Sequence, residues 1–203
     1  MGKKALEQFE SLGIAEIDGR MPSEMRNKYD GPLVLVASAA CVWDDLERAG
    51  MAKNHDEFPH VMCINDMIMH YPNAIEHAYS NNHQYLSKWI EGRRDQFVNR
   101  WGIPKHTHSN QVGGKWTWPW PGHGTSSLNA VYTALAMGYS SVWVCGVPLD
   151  NSRHYFEPPW MKTNFANNDH LLRCWKNAQK YIFQDKVFSF SGNTRKLLGE
   201  PDR

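Results

Sequence analysis

The stretch from Ser126 to Cys145 constrains the fold more than any other part of the chain. Ser126–Met137 is built from small and apolar residues and lays Leu128, Val131, Tyr132 and Leu135 along one helical stripe. Thr125 or Ser126 supplies the N-cap, because a hydroxyl there accepts a backbone N–H that the first turn leaves unpaired. Gly138 ends the helix, and Ser141–Cys145 follows at once as a β-branched apolar run. A helix feeding a strand that is apolar on both faces is half of a β-α-β unit, and such a strand needs cover on both sides.

Further segments repeat the pattern. Leu33–Ala37, preceded by Gly31-Pro32, and His60–Asn65 read as buried strands. Ala74–Tyr79 reads as a third, Lys105–Ser109 as a weaker one and Val187–Phe190 as the last. Helical patterns fall at Lys4–Leu12, at Asp44–Ala49 before Gly50, at His83–Trp101 and at Asp169–Phe183. The expectation is an α/β chain: a single Rossmann-like domain over residues 1–203, with a mostly parallel sheet flanked by helices. Leu33–Ala37, Val61–Ile64, Val142–Cys145 and Val187–Phe190 should be its central strands. Residues 1–30 make an N-terminal helix and connector, and residues 146–167 form a long polar, Pro-containing loop resembling a lid. At 203 residues and 41% hydrophobic content the chain can bury one substantial core.

Charge and composition exclude several classes. The net charge is +1 and no concentrated basic block occurs, so a nucleic-acid partner is not expected. Glu91-Gly-Arg93-Arg94 reads as a solvated helix face. The longest apolar runs are too short to cross a bilayer, and the charged N-terminus has no apolar stretch behind it, so neither a membrane span nor a secretory signal is expected. Four scattered cysteines without a CxxC pair fit core thiols in a reducing cytoplasm. Trp116, Trp118 and Trp120 alternate with Pro119 and Pro121, which rules out regular helix and makes Gln111–Gly124 a stiff aromatic loop. That loop either stacks a base or sugar ring or packs onto the core.

In an open parallel sheet, ligands bind beyond the carboxyl ends of the strands. The rule selects Ser38–Asp44 after the first strand, Asn65-Asp66 after the second, Ser80-Asn81-Asn82 after the third and Val147–Tyr155 after the strand that ends at Cys145. Asn65 can read a base or sugar edge and Asp66 can take a hydroxyl or metal, or the two form a helix N-cap. Gly122-His-Gly-Thr-Ser-Ser127 brings Gly124, Thr125, Ser126 and Ser127 to a helix N-terminus, where free N–H groups and the helix dipole favour an anion. The loop after Cys145 carries Asp150, Arg153, His154 and Tyr155 together; Arg and Tyr can hold phosphate, and His154 can act as a general base. His106 and His108 would share one face of a strand, but no carboxylate or Cys lies at ligand spacing, so no metal site is expected. A GxGxxG fingerprint is absent after the first strand, which argues against a conventional NAD site.

The run Gly124-Thr-Ser-Ser-Leu-Asn-Ala-Val-Tyr-Thr-Ala-Leu-Ala-Met-Gly-Tyr-Ser-Ser-Val-Trp-Val-Cys-Gly-Val-Pro-Leu-Asp150 resembles the small bacterial sialyltransferases and the group of motility accessory factor glycosyltransferases and MptE-like 6-hydroxymethylpterin diphosphokinases. His60–Asn65 and Asp185–Leu198 resemble the second and closing strands of those families. The resemblance implies a Rossmann-like domain that binds a nucleotide, with Ser126 or Ser127 beside it, Asn65 facing it and Tyr155 on its phosphate. Two departures stand out. Ala37-Ser-Ala-Ala-Cys-Val replaces the families' Gly-Asn-Gly-Pro-Ser-Leu type of turn, and Pro148 precedes the displaced Asp150.

The leading expectation is a glycosyltransferase-like protein that takes a nucleotide-sugar donor, CMP-linked if the sialyltransferase likeness holds, and a small-molecule or glycan acceptor. His154 would be the base and Asp150 its catalytic companion. The alternative is an Mg²⁺-dependent pyrophosphokinase, in which Asp66 and Asp150 would have to converge on the metal. A non-catalytic nucleotide-binding module of the same fold is the third reading, and a homo-oligomer is compatible with all three.

Overall fold

The computed structural model describes residues 21–51, 60–97, 102–120, 125–161 and 168–202. The helix expected at Lys4–Leu12 lies outside the described residues. So do the last turn of the helix expected over His83–Trp101, Gly124, and residues 162–167 of the expected lid.

Among the described residues, seven parallel strands form one sheet: β1 Pro32–Val36, β2 Val61–Ile64, β3 His77–Ser80, β4 His106–Ser109, β5 Trp116–Thr117, β6 Ser141–Cys145 and β7 Val187–Ser189. Their order is β5-β4-β3-β2-β1-β6-β7, so the chain builds outward from β1 and then returns to place β6 on β1's other side. Register pairs Val34 with both Val61 and Trp143. The α/β expectation holds, and the sheet is parallel throughout the described residues.

Side-chain alternation explains why the strands are apolar on both faces. Leu33, Leu35, Met62, Ile64, Val142 and Val144 join one core cluster. Val34, Val36, Val61, Cys63 and Cys145 join the other. Helices α1 Val42–Arg48, α2 Met67–His70 and α3 Leu86–Gln96 cover the second cluster through Val42, Leu46, Met67, Ile68 and Leu86. Helices α4 Ser126–Ala136, α5 Asn168–Ala178 and α6 Gly192–Leu198 cover the first. Every residue of α4 is buried, which accounts for its small-residue composition: it lies directly on the sheet and no face meets water.

Four details differ from expectation. Val187–Ser189 is an edge strand, although Val187 and Ser189 are buried; a helix pair and β6 give it the cover a central strand would have. The third strand begins at His77, because Glu76 still turns the chain and accepts His106 N–H through its carbonyl at 3.0 Å. The helix after α5 widens into a π turn over Gln179–Phe183 and stops where Gln184 and Asp185 take positive φ. Arg93 is fully buried, not solvated: its guanidinium donates to the carbonyls of Gly102, Ile68, Tyr71 and Asn73 and holds the end of α2 against α3.

The aromatic loop packs onto the core. Trp118 and Trp120 are buried, stacked at 5.9 Å, and Trp120 Nε1 donates to Thr133 Oγ1 of α4 at 2.7 Å.

Candidate functional site: a cleft at the switch between β1 and β6

Strand order reverses between β1 and β6, so the loops that follow these neighbouring strands leave on opposite sides of the sheet and a crevice opens between them. A cavity of about 140 Å³ lies there, walled by residues 37–39 after β1, Ile64 and Asn65 from β2, Thr125–Ser127 at the start of α4, residues 146–150 after β6, Ser152, His154 and Leu171.

Backbone approach sets the floor of the cleft. Gly146 has φ 72°, and a Cβ on it would sit 2.2 Å from the Ala37 carbonyl oxygen, so only glycine lets the two loops meet. The buried Asp45 carboxylate pins this junction, accepting Gly146 N–H at 2.9 Å and the Ser191 hydroxyl at 2.8 Å. Burial pushes the Asp45 carboxyl up from its ordinary range, and these donors pull it back. Asn65 and Leu149, both in the wall, hold φ of 53° and 49°. Left-handed backbone at a non-glycine residue costs on the order of 1–3 kcal/mol and collects at functional sites.

The wall presents hydrogen-bond donors. Thr125 caps α4: its Oγ1 accepts Leu128 N–H at 3.2 Å and lies 2.7 Å from Ser127 Oγ. Ser126 Oγ accepts Asn81 N–H at 3.1 Å, which leaves the Ser126 hydroxyl proton to donate elsewhere. Ser80 Oγ donates to Asn65 Oδ1 at 2.7 Å, so the Asn65 amide N–H₂ is the group left for a ligand. Asp150 and His154 are the ionisable side chains of the wall, and no Lys or Arg belongs to it among the described residues.

His154 is held from several directions. Its Nδ1 lies 2.7 Å from Ser38 Oγ, its ring stacks on Phe156 at 5.3 Å, and its backbone N–H donates to the Glu157 carboxylate at 2.7 Å. Ala40 N–H donates to Arg153 O and Tyr155 N–H to Ser38 O, both at 2.8 Å, clamping the two loops together. Asp150 lines the cleft and also shapes it, because its Oδ1 accepts Ser152 N–H at 2.8 Å.

Of the sequence-derived residues, Ser38, Asn65, Thr125, Ser126, Ser127, Asp150 and His154 meet at this cleft. Arg153, Tyr155 and Asp66 are not in its wall. Arg153 Nη1 donates to the carbonyls of His154, Tyr155 and Glu157, bracing its own loop rather than facing a phosphate. Tyr155 packs between Trp43 at 5.4 Å and His70 at 5.7 Å. Burial, with the Asp66 charge, pushes its phenol up to about 12. Asp66 sits at the N-cap position of α2 without a side-chain capping bond. Gly124 lies outside the described residues. Cys41, beside the cleft, is held by Ser191 at 3.1 Å, and burial raises its thiol to about 12, which removes it as a nucleophile. Among the described residues, no group of three or more His, Cys, Asp or Glu side chains is placed to hold a metal ion, and Asp66 and Asp150 do not converge in the cleft.

Sequence reasoning missed Asp45 and Asn129, whereas Asn81 falls in the Ser80–Asn82 segment that the strand-end rule selects. Asn129 carried a readable signal as the amide in an otherwise small and apolar helix; it is fully buried and donates to Asn81 Oδ1 at 3.2 Å.

Fold and site together define an α/β chain with a donor-lined cleft at the switch point of a parallel sheet. Comparison with known protein families, with curated proteins and with solved structures finds no match. Among the described residues, no helix is long and apolar enough to cross a membrane.

Proposed function

We propose that the cleft binds the phosphate of a nucleotide-activated sugar and that the chain is a glycosyltransferase-like protein with His154 as general base. One observation carries this reading: the α4 N-terminus, with the hydroxyls of Thr125, Ser126 and Ser127, and the Ser38–His154 pair line a single cavity at the switch point. Free N–H groups at a helix start favour an anion, and the hydroxyls add donors without adding charge.

The absence of Lys and Arg from the described wall supports a donor with a single phosphate, such as a CMP-sugar, over a diphosphate-linked one. A leaving diphosphate develops more charge than one helix terminus and three hydroxyls can offset. With Ser38 Oγ holding Nδ1, His154 Nε2 is the nitrogen available to act as base. The acceptor hydroxyl oxygen then bonds to the anomeric carbon as the carbon–oxygen bond to phosphate breaks. The nucleotide leaves with that electron pair, and the acceptor proton passes to Nε2.

Thermal unfolding in the presence of CMP, UDP, GDP or ATP, each with and without Mg²⁺, tests this reading. Binding to the folded state raises the melting temperature by mass action. CMP should raise it without Mg²⁺; no response to any nucleotide would remove the reading.

A further inference from the structure

Away from the cleft, His60 just before β2, His77 at the start of β3, and His106 and His108 of β4 gather together. His77 and His108 are fully buried. Trp118 Nε1 donates to His108 Nδ1 at 3.0 Å. His108 Nε2 lies 3.0 Å from His77 Nδ1, His77 Nε2 lies 2.8 Å from Tyr139 OH, and Tyr139 OH lies 2.6 Å from His60 Nδ1.

The indole fixes the direction of this chain, because an indole N–H can only donate. His108 Nδ1 must therefore accept, so its proton sits on Nε2 and points at His77 Nδ1. His77 must then carry its own proton on Nε2 and donate to Tyr139, whose hydroxyl also bonds His60 Nδ1. From Trp118 to Tyr139 each link has one allowed arrangement. A second proton on His108 would set two N–H groups face to face across 3.0 Å, and a second proton on His77 would do the same on its other side.

The groups facing the chain do not relieve this. Lys28 and Lys115 add positive charge, and Tyr29 stacks on Tyr139 at 5.0 Å. Glu76 is the acidic neighbour, but its carboxylate is 2.7 Å from Lys105 Nζ and 3.9 Å from His106 Nε2. Burial accordingly pushes His77 well below the usual histidine range and His108 down to about 3.

We propose that this chain is an acid-sensitive latch: a proton taken up by His108 or His77 breaks it, and the Trp116–Trp120 segment leaves the sheet edge before the central strands open. β5 is two residues long and, among the described residues, pairs on one side alone. It is tied further by Trp118 N–H to Ser109 O and by Lys115 N–H to Thr107 Oγ1, both at 2.8 Å, and by the Trp118 and Trp120 indoles, which are hydrogen-bonded and buried in the core. An ordinary histidine released from such a chain titrates near 6.5, so acid favours the open form.

Hydrogen exchange at the Trp118 amide, corrected for intrinsic rates and compared at pH 7.5 and 5.0, tests the latch. Its opening constant should rise about thirty-fold if one histidine is freed and approach a thousand-fold if both are, while the amides of β1 change far less. His108→Gln keeps an acceptor and a donor but does not titrate, so its response should be about thirty-fold smaller. An equal response in His108→Gln, or none in the unmodified chain, would overturn the proposal. In ¹⁵N-labelled protein at pH 7.5, both His77 and His108 should carry the proton on Nε2; a proton on Nδ1 of either would also overturn it.

Discussion

Replacing Gly146 by alanine isolates the close approach that shapes the cleft, with Gly50→Ala as its control. Both glycines have left-handed backbone, φ 72° and φ 80°. A Cβ at Gly50 meets nothing within 4 Å, whereas one at Gly146 meets Ala37 O at 2.2 Å and Val42 Cβ at 3.0 Å. Gly50→Ala should therefore cost only the left-handed penalty, about 1 kcal/mol. Gly146→Ala adds the overlap, which forces the Ala37 carbonyl away at about 1–3 kcal/mol. It also strains Ala39 N–H to Gly146 O and Gly146 N–H to Asp45, each worth about 1 kcal/mol. The expected cost is about 3–5 kcal/mol, or roughly 4–16 °C in melting temperature beyond the control for a chain of this size. Urea unfolding at pH 7.5 measures both, and unchanged m-values would show that the same surface is exposed. Equal costs, within about 0.5 kcal/mol, would refute the claim that the two loops are in contact.

Other consequences are as direct. His154→Ala should lower transfer by about a hundred- to ten-thousand-fold with little change in nucleotide affinity, measured by turnover and calorimetry. Arg93→Ala strands four carbonyls and should cost about 3–5 kcal/mol in denaturant unfolding, unlike a surface arginine. Arg153→Ala should destabilise its loop without altering the salt dependence of ligand binding, because its Nη1 braces three backbone carbonyls and the side chain lies outside the cleft wall. Cys41 should resist alkylation at pH 7.5, read by mass spectrometry, since burial pushes its thiol up to about 12.

The parallel architecture was legible because burial on both faces writes itself into continuous apolar runs, as in Leu33–Val36 and Val142–Cys145. The cleft's position followed from strand ends and from the hydroxyl cluster ahead of α4. Edge placement of β7 left no mark, because Val187 and Ser189 are buried as residues of an inner strand are. Arg93 and Arg153 looked like surface or ligand cations; what decides their role is carbonyl geometry contributed by distant segments, as with Ile68 and Tyr71 for Arg93. The histidine chain needed the pairing of His77 with His106 in adjacent strands, together with an indole from the next segment.

The most direct test of the central claim is a structure of the chain with CMP bound, or amide chemical-shift mapping of the same titration. The account predicts phosphate oxygens within hydrogen-bond reach of the backbone N–H groups of Ser126 and Ser127, with His154 Nε2 facing the cavity. A phosphate bound elsewhere, or unshifted amides at the start of α4 under saturating CMP, would contradict it.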